Sequence, residues 1–151
     1  MWTQEHMGKR IIWAHNGHIA KTNMLPQIYP KFAGQHLAEY YGEHYVSIGT
    51  SLYEGQFNAL NSNNEVVANQ IQADDLSSFN YTLGEVNADQ YFVDVRKASG
   101  VTKEWLNEHR PFAIGFASAD PSKPSYVDTS LSQAFDILIH IQKVTASQLN
   151  S

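Results

Sequence analysis

A short, uninterrupted apolar run near the start of the chain places the strongest constraint on the fold. Ile11–Ala14 directly follows two basic residues. A continuous apolar run of this length is typical of a strand buried on both faces, as in a parallel sheet. The next residues, His15-Asn16-Gly17-His18, contain an Asn-Gly dipeptide that predicts a turn. We therefore expect a buried strand that ends in a polar turn near the start of an α/β fold.

Predicted helices and strands alternate along the rest of the chain. The patterns predict helices over 31–43, 74–86 and 102–109, and strands over 44–60, 65–73, 90–97, 110–118 and 134–144. Gly42 is the expected C-cap of the first helix, an aspartate is the expected N-cap of the second, and 119–130 is a predicted loop. The prediction is one α/β domain over residues 1–151, with a mixed, mostly parallel sheet, flanking helices and one antiparallel hairpin with its turn at 61–64.

Two of the predicted strands show a period of two in their apolar residues. In the first, the alternating residues are Val46, Ile48, Thr50 and Leu52, and in the last they are Phe135, Ile137, Ile139 and Ile141. Such alternation predicts that these side chains share one face of each strand, and that this face is buried. His140 is out of phase with its apolar neighbours, so it is predicted to face solvent or a second layer.

Composition excludes several classes of function. The net charge of −5 forces no basic face, which argues against binding to nucleic acid and against a polybasic membrane anchor. No apolar run is long enough to span a membrane, and the first residues do not resemble a signal peptide. The sequence has no cysteine, so disulfides, thiolate nucleophiles and Cys-based zinc sites are absent. A cytoplasmic protein is the expectation.

The two histidines of the predicted turn are the main candidates for chemistry. His15 and His18 could act as a general base or stabilise an oxyanion, because imidazole exchanges protons near neutral pH. Asn16 could orient one ring, and Lys21 could supply positive charge. A purely structural alternative remains, in which a histidine at a strand end bonds a backbone carbonyl.

A metal site is a less favoured interpretation of the same pair. Two histidines at this spacing can bind zinc if a third ligand comes from elsewhere, and Glu54 or Asp94 could supply it, although nothing in the sequence selects either. The spacing also differs from the HExxH pattern. We therefore predict neither a metal nor a cofactor.

Several segments, taken in order, resemble the C-terminal half of the erythromycin esterase family, some members of which carry a succinoglycan-biosynthesis label. The segment 13–21, "WAHNGHIAK", is similar to a family strand followed by a His-Asn-x-His motif. The later segments 32–57, "YFVDVR" at 91–96 and "FDILIHIQKVTAS" at 135–147 resemble the helix and strands that follow it. The resemblance covers nearly the whole chain.

The resemblance implies a hydrolase in which a histidine-activated water attacks a small-molecule ester or lactone, such as that of a macrolide antibiotic, without a metal. Carried over, the motif makes His15 and His18 catalytic, with Asn16 and Lys21 as candidate substrate-binding residues. The family's proposed general-base histidine lies in an N-terminal half with a Gly-Glu-x-x-His-Gly-like motif, which this chain lacks. The expected partner is therefore the missing N-terminal half of the same protein, and the chain alone is expected to be inactive.

Two other functions stay open at this stage. One is a non-catalytic binding or assembly module linked to polysaccharide biosynthesis. The other is a zinc hydrolase that uses the two histidines as ligands.

Overall fold

The computed structural model describes residues 8–115 and 125–148, which form six strands and five helices. The strands are β1 (Ile48–Leu60), β2 (Val66–Gln72), β3 (Gln90–Asp94), β4 (Arg110–Gly115), β5 (Ser125–Thr129) and β6 (Ile137–Val144). The helices are α1 (Asn16–Ile19), α2 (Ala33–Tyr41), α3 (Phe79–Gly84), α4 (Gly100–Asn107) and α5 (Leu131–Ala134), with 3₁₀ turns at Gly42–His44 and Val95–Lys97.

Four of the strands form the main sheet in the order β2-β1-β6-β3, and β4 and β5 form a separate antiparallel pair. Strand β1 is antiparallel to β2 and parallel to β6, and β3 is antiparallel to β6. This arrangement confirms the predicted α/β fold with a mixed sheet, flanking helices and an antiparallel hairpin. Within the described ranges one of the three pairings in the main sheet is parallel, a smaller share than expected.

Strand β1 changes its pairing partner at a glycine. Gly55 lies opposite Ile71 of β2 and Val144 of β6, and its φ is 136°. A Cβ atom here would collide with the backbone of Val144. Only glycine combines this backbone conformation with such a close approach, so it lets the long strand join the parallel and antiparallel parts of the sheet.

The hydrophobic core lies on one side of the main sheet, against α3, α4, α5 and the β4–β5 pair. Its fully buried aromatic residues are Phe79, Phe112 and Phe135, whose rings meet edge to face. Leu138 of β6 packs into the same cluster. Asn80 joins the two sheets, because its Nδ2 donates to the Leu52 carbonyl at 3.2 Å and its Oδ1 accepts from the Ala113 N–H at 2.8 Å.

The predicted facing of the apolar residues in β1 and β6 is wrong. The buried residues are the alternate ones: Gly49 and Ser51 in β1, and Leu138 and His140 in β6. Ile48 and Ile139 are 43% and 37% exposed. Gly49 is required on the core side because the Phe135 ring lies where a side chain would be, 2.8 Å from an ideal Cβ.

The predicted buried strand at Ile11–Ala14 is also wrong. These residues lie outside any strand, and Ile11 and Trp13 are 95% and 93% exposed. A strand needs neighbours that satisfy its backbone hydrogen bonds, and no described strand lies beside this segment.

Smaller differences concern segment boundaries. The predicted loop at 119–130 is wrong in its second part, where Ser125–Thr129 forms β5 and pairs with β4; the residues 116–124 lie outside the described part of the chain. The N-cap of α3 is Ser78 rather than an aspartate, since its Oγ accepts from the Tyr81 N–H at 3.0 Å. Gly42 is the C-cap of α2, as predicted.

Among the described helices, none has the length and apolarity needed to cross a membrane.

Candidate functional site

The two histidines of the motif lie side by side on a single helical turn. His15 is the N-cap of α1, and its Nδ1 accepts a hydrogen bond from the Gly17 N–H at 3.3 Å. His18 is in the same turn, and its ring centroid lies 6.4 Å from that of His15, with the two planes at 78°. Both side chains are exposed. The short turn therefore brings the two predicted catalytic residues together at the surface.

The hydrogen bond at His15 Nδ1 selects a tautomer. In a neutral imidazole one ring nitrogen accepts and the other carries the proton. Because Nδ1 accepts from Gly17, we assign the proton of neutral His15 to Nε2. In this state Nε2 is the protonated nitrogen of the ring.

Asn16 fixes the histidine turn to the main sheet. It is 6% exposed, its Nδ2 donates to the Thr50 carbonyl at 2.6 Å, and its Oδ1 accepts from the Thr50 N–H at 2.9 Å. The Thr50 hydroxyl donates to the same oxygen at 3.2 Å. Three hydrogen bonds to one strand residue restrain both position and orientation, so His15 and His18 are held at a defined place beside β1.

An aromatic row supports His18 from the other side. The His18 ring meets the ring of Phe32 edge to face at 5.5 Å, and Phe32 meets Tyr29 in the same way at 5.3 Å. Helix α2 approaches α1 closely at Gly34, where any side chain would collide with the backbone carbonyls of Ile19 and Ala20. Sequence reasoning missed Phe32 and Tyr29, because no pattern marks which aromatic residues will meet a given histidine.

Lys21 lies at the end of the same segment and is paired with an acidic residue from a distant part of the chain. Its Nζ lies 2.7 and 2.6 Å from the two carboxylate oxygens of Asp136. Asp136 also accepts from the Ser47 N–H at 2.7 Å, and the Lys21 N–H donates to the Ala134 carbonyl at 2.9 Å. These contacts join the histidine segment to the starts of β1 and β6, a role the sequence did not predict for Lys21.

The ligands considered for a metal site are not brought to the histidines. Glu54 pairs with Lys143 at 3.2 Å, and Asp94 pairs with Arg96 at 3.0 Å. Within the described parts of the chain, no cluster of three or more histidine, cysteine, aspartate or glutamate residues could hold a metal ion. A zinc ion on this pair would therefore need a ligand from elsewhere.

A third histidine is buried in the main sheet and belongs to a structural network. His140 is fully buried, its Nδ1 lies 3.1 Å from the Ser51 Oγ, and its Nε2 lies 3.3 Å from the Gln142 Oε1. Burial lowers the pKa of His140, and the hydrogen bond to Gln142 opposes this shift. The Ser51–His140 pair is closed to solvent, so it is not a candidate nucleophile.

The fold and the site thus define an α/β protein whose candidate chemistry is a pair of exposed histidines fixed on a sheet. Residues 1–144 match the family model described as erythromycin esterase. The chain belongs to the erythromycin esterase family. No curated protein matches the chain.

Three solved structures are similar over nearly the whole chain. A Bacillus cereus protein is 58% identical with a TM-score of 0.92, covering 99% of this chain and 37% of that protein. A succinoglycan biosynthesis protein is 38% identical with a TM-score of 0.84, covering 95% and 36%. A mutant of the erythromycin esterase EreC, in its open conformation, is 19% identical with a TM-score of 0.61, covering 94% and 34%, and this last likeness concerns the fold alone. The chain spans just over a third of the length of these proteins.

Proposed function

We propose that the chain is part of a hydrolase that cleaves an ester or lactone of a small molecule by attack of a histidine-activated water. The observation that carries the proposal is the exposed pair of His15 and His18, which Asn16 holds against β1. Family membership supports a small-molecule substrate. In such a reaction the water oxygen attacks the carbonyl carbon, a base takes the water proton, and the leaving alkoxide receives a proton.

The geometry of His15 supports a donor role in this scheme. With its Nδ1 accepting from Gly17, neutral His15 carries its proton on Nε2, which is the tautomer required of a donor to the carbonyl oxygen as negative charge develops there. His18 lies close enough to share the same substrate, and its contact with Phe32 restrains its ring. The base that activates the water is then His18 or the general-base histidine implied for the rest of the family polypeptide.

The predicted substrate contacts of Asn16 and Lys21 stay proposals. Asn16 is buried and bonded to Thr50, and the Lys21 ammonium is bonded to Asp136. These contacts support a positioning role for both residues, because each one joins the histidine segment to the sheet. A substrate carboxylate or carbonyl near Lys21 would have to compete with Asp136 for its donors.

The solved relatives suggest that this chain does not act alone. It matches only 37% of the Bacillus cereus protein, so well over half of that protein lies outside the match. We propose that the corresponding family polypeptide completes the site, whether it is joined to this chain or separate from it. The 151-residue chain by itself is expected to show no turnover.

The test is to co-express the chain with the part of the Bacillus cereus relative that lies outside the match. Hydrolysis of erythromycin and of simple aryl esters would be followed by mass spectrometry and absorbance. We expect His15→Gln and His18→Gln to lower kcat by about 100-fold, since the first removes the imidazole donor to the carbonyl oxygen and the second removes a candidate base. His36→Gln, at an exposed position on α2, is the matched control. An unchanged rate in His15→Gln would contradict the catalytic role.

A second candidate function is a non-catalytic module that acts in polysaccharide biosynthesis. The 38% identical succinoglycan biosynthesis protein favours it. This alternative predicts that oligosaccharides bind without release of product, and that His15→Gln leaves their affinity unchanged. Isothermal titration calorimetry with acidic oligosaccharides, run beside the hydrolysis assay, separates the two functions.

A further inference from the structure

One face of the main sheet displays a block of apolar side chains that the described helices leave exposed. In the register of the strands, Ile48 lies beside Ile137, and Ile139 lies between Thr50 and Phe92. Opposed residues of neighbouring strands share a face, so these side chains form adjacent rows, which we call the open face. Phe92 is 70% exposed. An exposed aromatic residue beside these apolar rows enlarges a patch that is unusual for a face in contact with water.

The open face carries large apolar side chains of both β1 and β6. In β1 the core side receives Gly49 and Ser51, whereas the open face receives Ile48 and Leu52. In β6 the open face receives Ile137, Ile139 and Ile141. A sheet with apolar residues on both faces is typical of α/β proteins that have a layer on each side. The pattern of side chains is therefore that of the middle layer of a three-layer unit.

We infer that the open face is the docking surface for the family polypeptide that lies outside the matched third of the solved relatives. Two observations favour that polypeptide as the partner on this face. The 58% identical relative has the same fold over this region with a TM-score of 0.92, and it has well over half of its chain left to form the third layer. The rim of the face carries Asp94 with Arg96 and Lys97, so its centre is apolar and its edge is charged, as in protein interfaces.

Docking there would place the partner next to the histidine turn. Thr50 belongs to the open face and is bonded to Asn16 at 2.6 and 2.9 Å, one residue from His15. A layer that covers Phe92, Ile139 and Thr50 would therefore end beside His15 and His18 and would form a wall next to them. The inference rests on the proposed function in one respect, because both take the partner of this chain to be the remaining polypeptide of its family.

Thiol labelling tests the inference directly, because the sequence has no cysteine and any introduced cysteine is unique in this chain. We would compare Phe92→Cys on the open face with Val101→Cys, which is 81% exposed on α4 and serves as the matched control. Each variant is labelled alone and after co-expression with the non-matching part of the Bacillus cereus relative, and peptide mapping excludes thiols of that part. In the complex we expect the labelling rate at position 92 to fall at least about 10-fold and the rate at position 101 to stay within about 2-fold.

Equal labelling of position 92 in the isolated chain and in the complex would overturn the inference. Protection at position 92 that grows with the concentration of the isolated chain would also overturn it, in favour of a second copy as the occupant. If the co-expressed part is insoluble, the same two variants are made in a single chain that joins it to the 151 residues. The readout is independent of catalysis: protection without hydrolysis would contradict the proposed function alone, and hydrolysis without protection would contradict the docking surface alone.

Discussion

The side-chain amide of Asn16 pairs with the backbone of Thr50 as a residue of a neighbouring strand would. Its Nδ2 and Oδ1 meet the carbonyl and the N–H of the same residue, at 2.6 and 2.9 Å. The Asn16 side chain thus provides hydrogen-bond partners for the backbone of Thr50, at an edge of β1 where no described strand pairs with it. The same side chain sets the position of His15 and His18. The stability of the sheet edge and the geometry of the candidate site therefore depend on the same two hydrogen bonds.

Replacing Asn16 by alanine should therefore affect stability strongly. Asn16→Ala leaves the N–H and carbonyl of Thr50 without their partner, and we expect the free energy of unfolding to fall by about 2 kcal/mol. Urea denaturation followed by circular dichroism measures this change. Asn63→Ala, in the exposed turn of the hairpin, is the control and should have little effect. A loss no larger in Asn16→Ala than in the control would contradict the anchoring role.

The pair formed by Lys21 and Asp136 should contribute to stability as well. The two side chains are 25% and 13% exposed, so Lys21→Met leaves a mostly buried carboxylate without its ammonium partner. We expect a loss of about 1–2 kcal/mol, allowing for screening by solvent. Lys31→Met removes the partner of Glu39, which is 64% exposed, and should change stability by less than about 0.5 kcal/mol. Thermal unfolding of both variants measures the difference. Similar melting temperatures would show that the Lys21–Asp136 pair stabilises the protein no more than the exposed Lys31–Glu39 pair.

The close contact between α1 and α2 predicts that Gly34 does not tolerate a side chain. A Cβ atom at Gly34 would overlap the backbone of Ile19 and Ala20, which cannot rotate away as a side chain would. We expect Gly34→Ala to destabilise the protein by about 2 kcal/mol or more and to displace the His18 turn. Gly100→Asn is the control for steric overlap, because Gly100 has open space around it. Its φ of 55° strains most side chains but asparagine least, so we expect a smaller loss than in Gly34→Ala. Native-like stability of Gly34→Ala would show that the helices can separate at little cost.

Burial of His140 predicts a loss of stability in mild acid. Its folded-state pKa lies below the ordinary histidine value of 6.5, mainly because the charged ring would lose its hydration. The neutral ring therefore contributes fully above that value, and this contribution is lost as the pH falls below 6.5 towards the folded-state pKa. We expect the free energy of unfolding to decrease between about pH 7 and about pH 5.5, and to decrease less in His140→Gln.

The control for this measurement is His44→Gln, at an exposed position before β1. It should keep the pH dependence of the unsubstituted protein. Parallel curves for the unsubstituted protein and His140→Gln would show that other groups cause the acid sensitivity.

Local patterns were sufficient for much of the fold. The hairpin of β1 and β2, the helix that ends at Gly42 and the strand β6 follow from the alternation of residues and from turn and capping preferences, which act over a few residues. The proximity of His15 and His18 was equally predictable, because a single turn holds both. These features depend on residues that are neighbours in the sequence.

The direction in which the strands face could not be predicted in this way. Alternation in β6 separates Ile139 from His140, but it does not say which of the two meets the core. His140 is buried beside Ser51 and Tyr91, which lie on two other strands. The pattern within β6 contains no information about these neighbours. The expectation failed because alternation places the isoleucines of β6 on one face of the strand, whereas the packing of α3, α4, α5 and the β4–β5 pair buries the other face.

The sequence alone determined the class of fold, the short histidine turn and, through the order of its motifs, the family. Only the tertiary structure decided what holds that turn: Thr50 lies 34 positions from Asn16 along the chain, and Asp136 lies 115 positions from Lys21. The physical reason is that periodicity, capping and turn preferences are local energies, whereas these contacts arise when the sheet brings distant segments together. Which face of β1 and β6 is buried depends on the packing of whole layers, and no short stretch of residues contains that information.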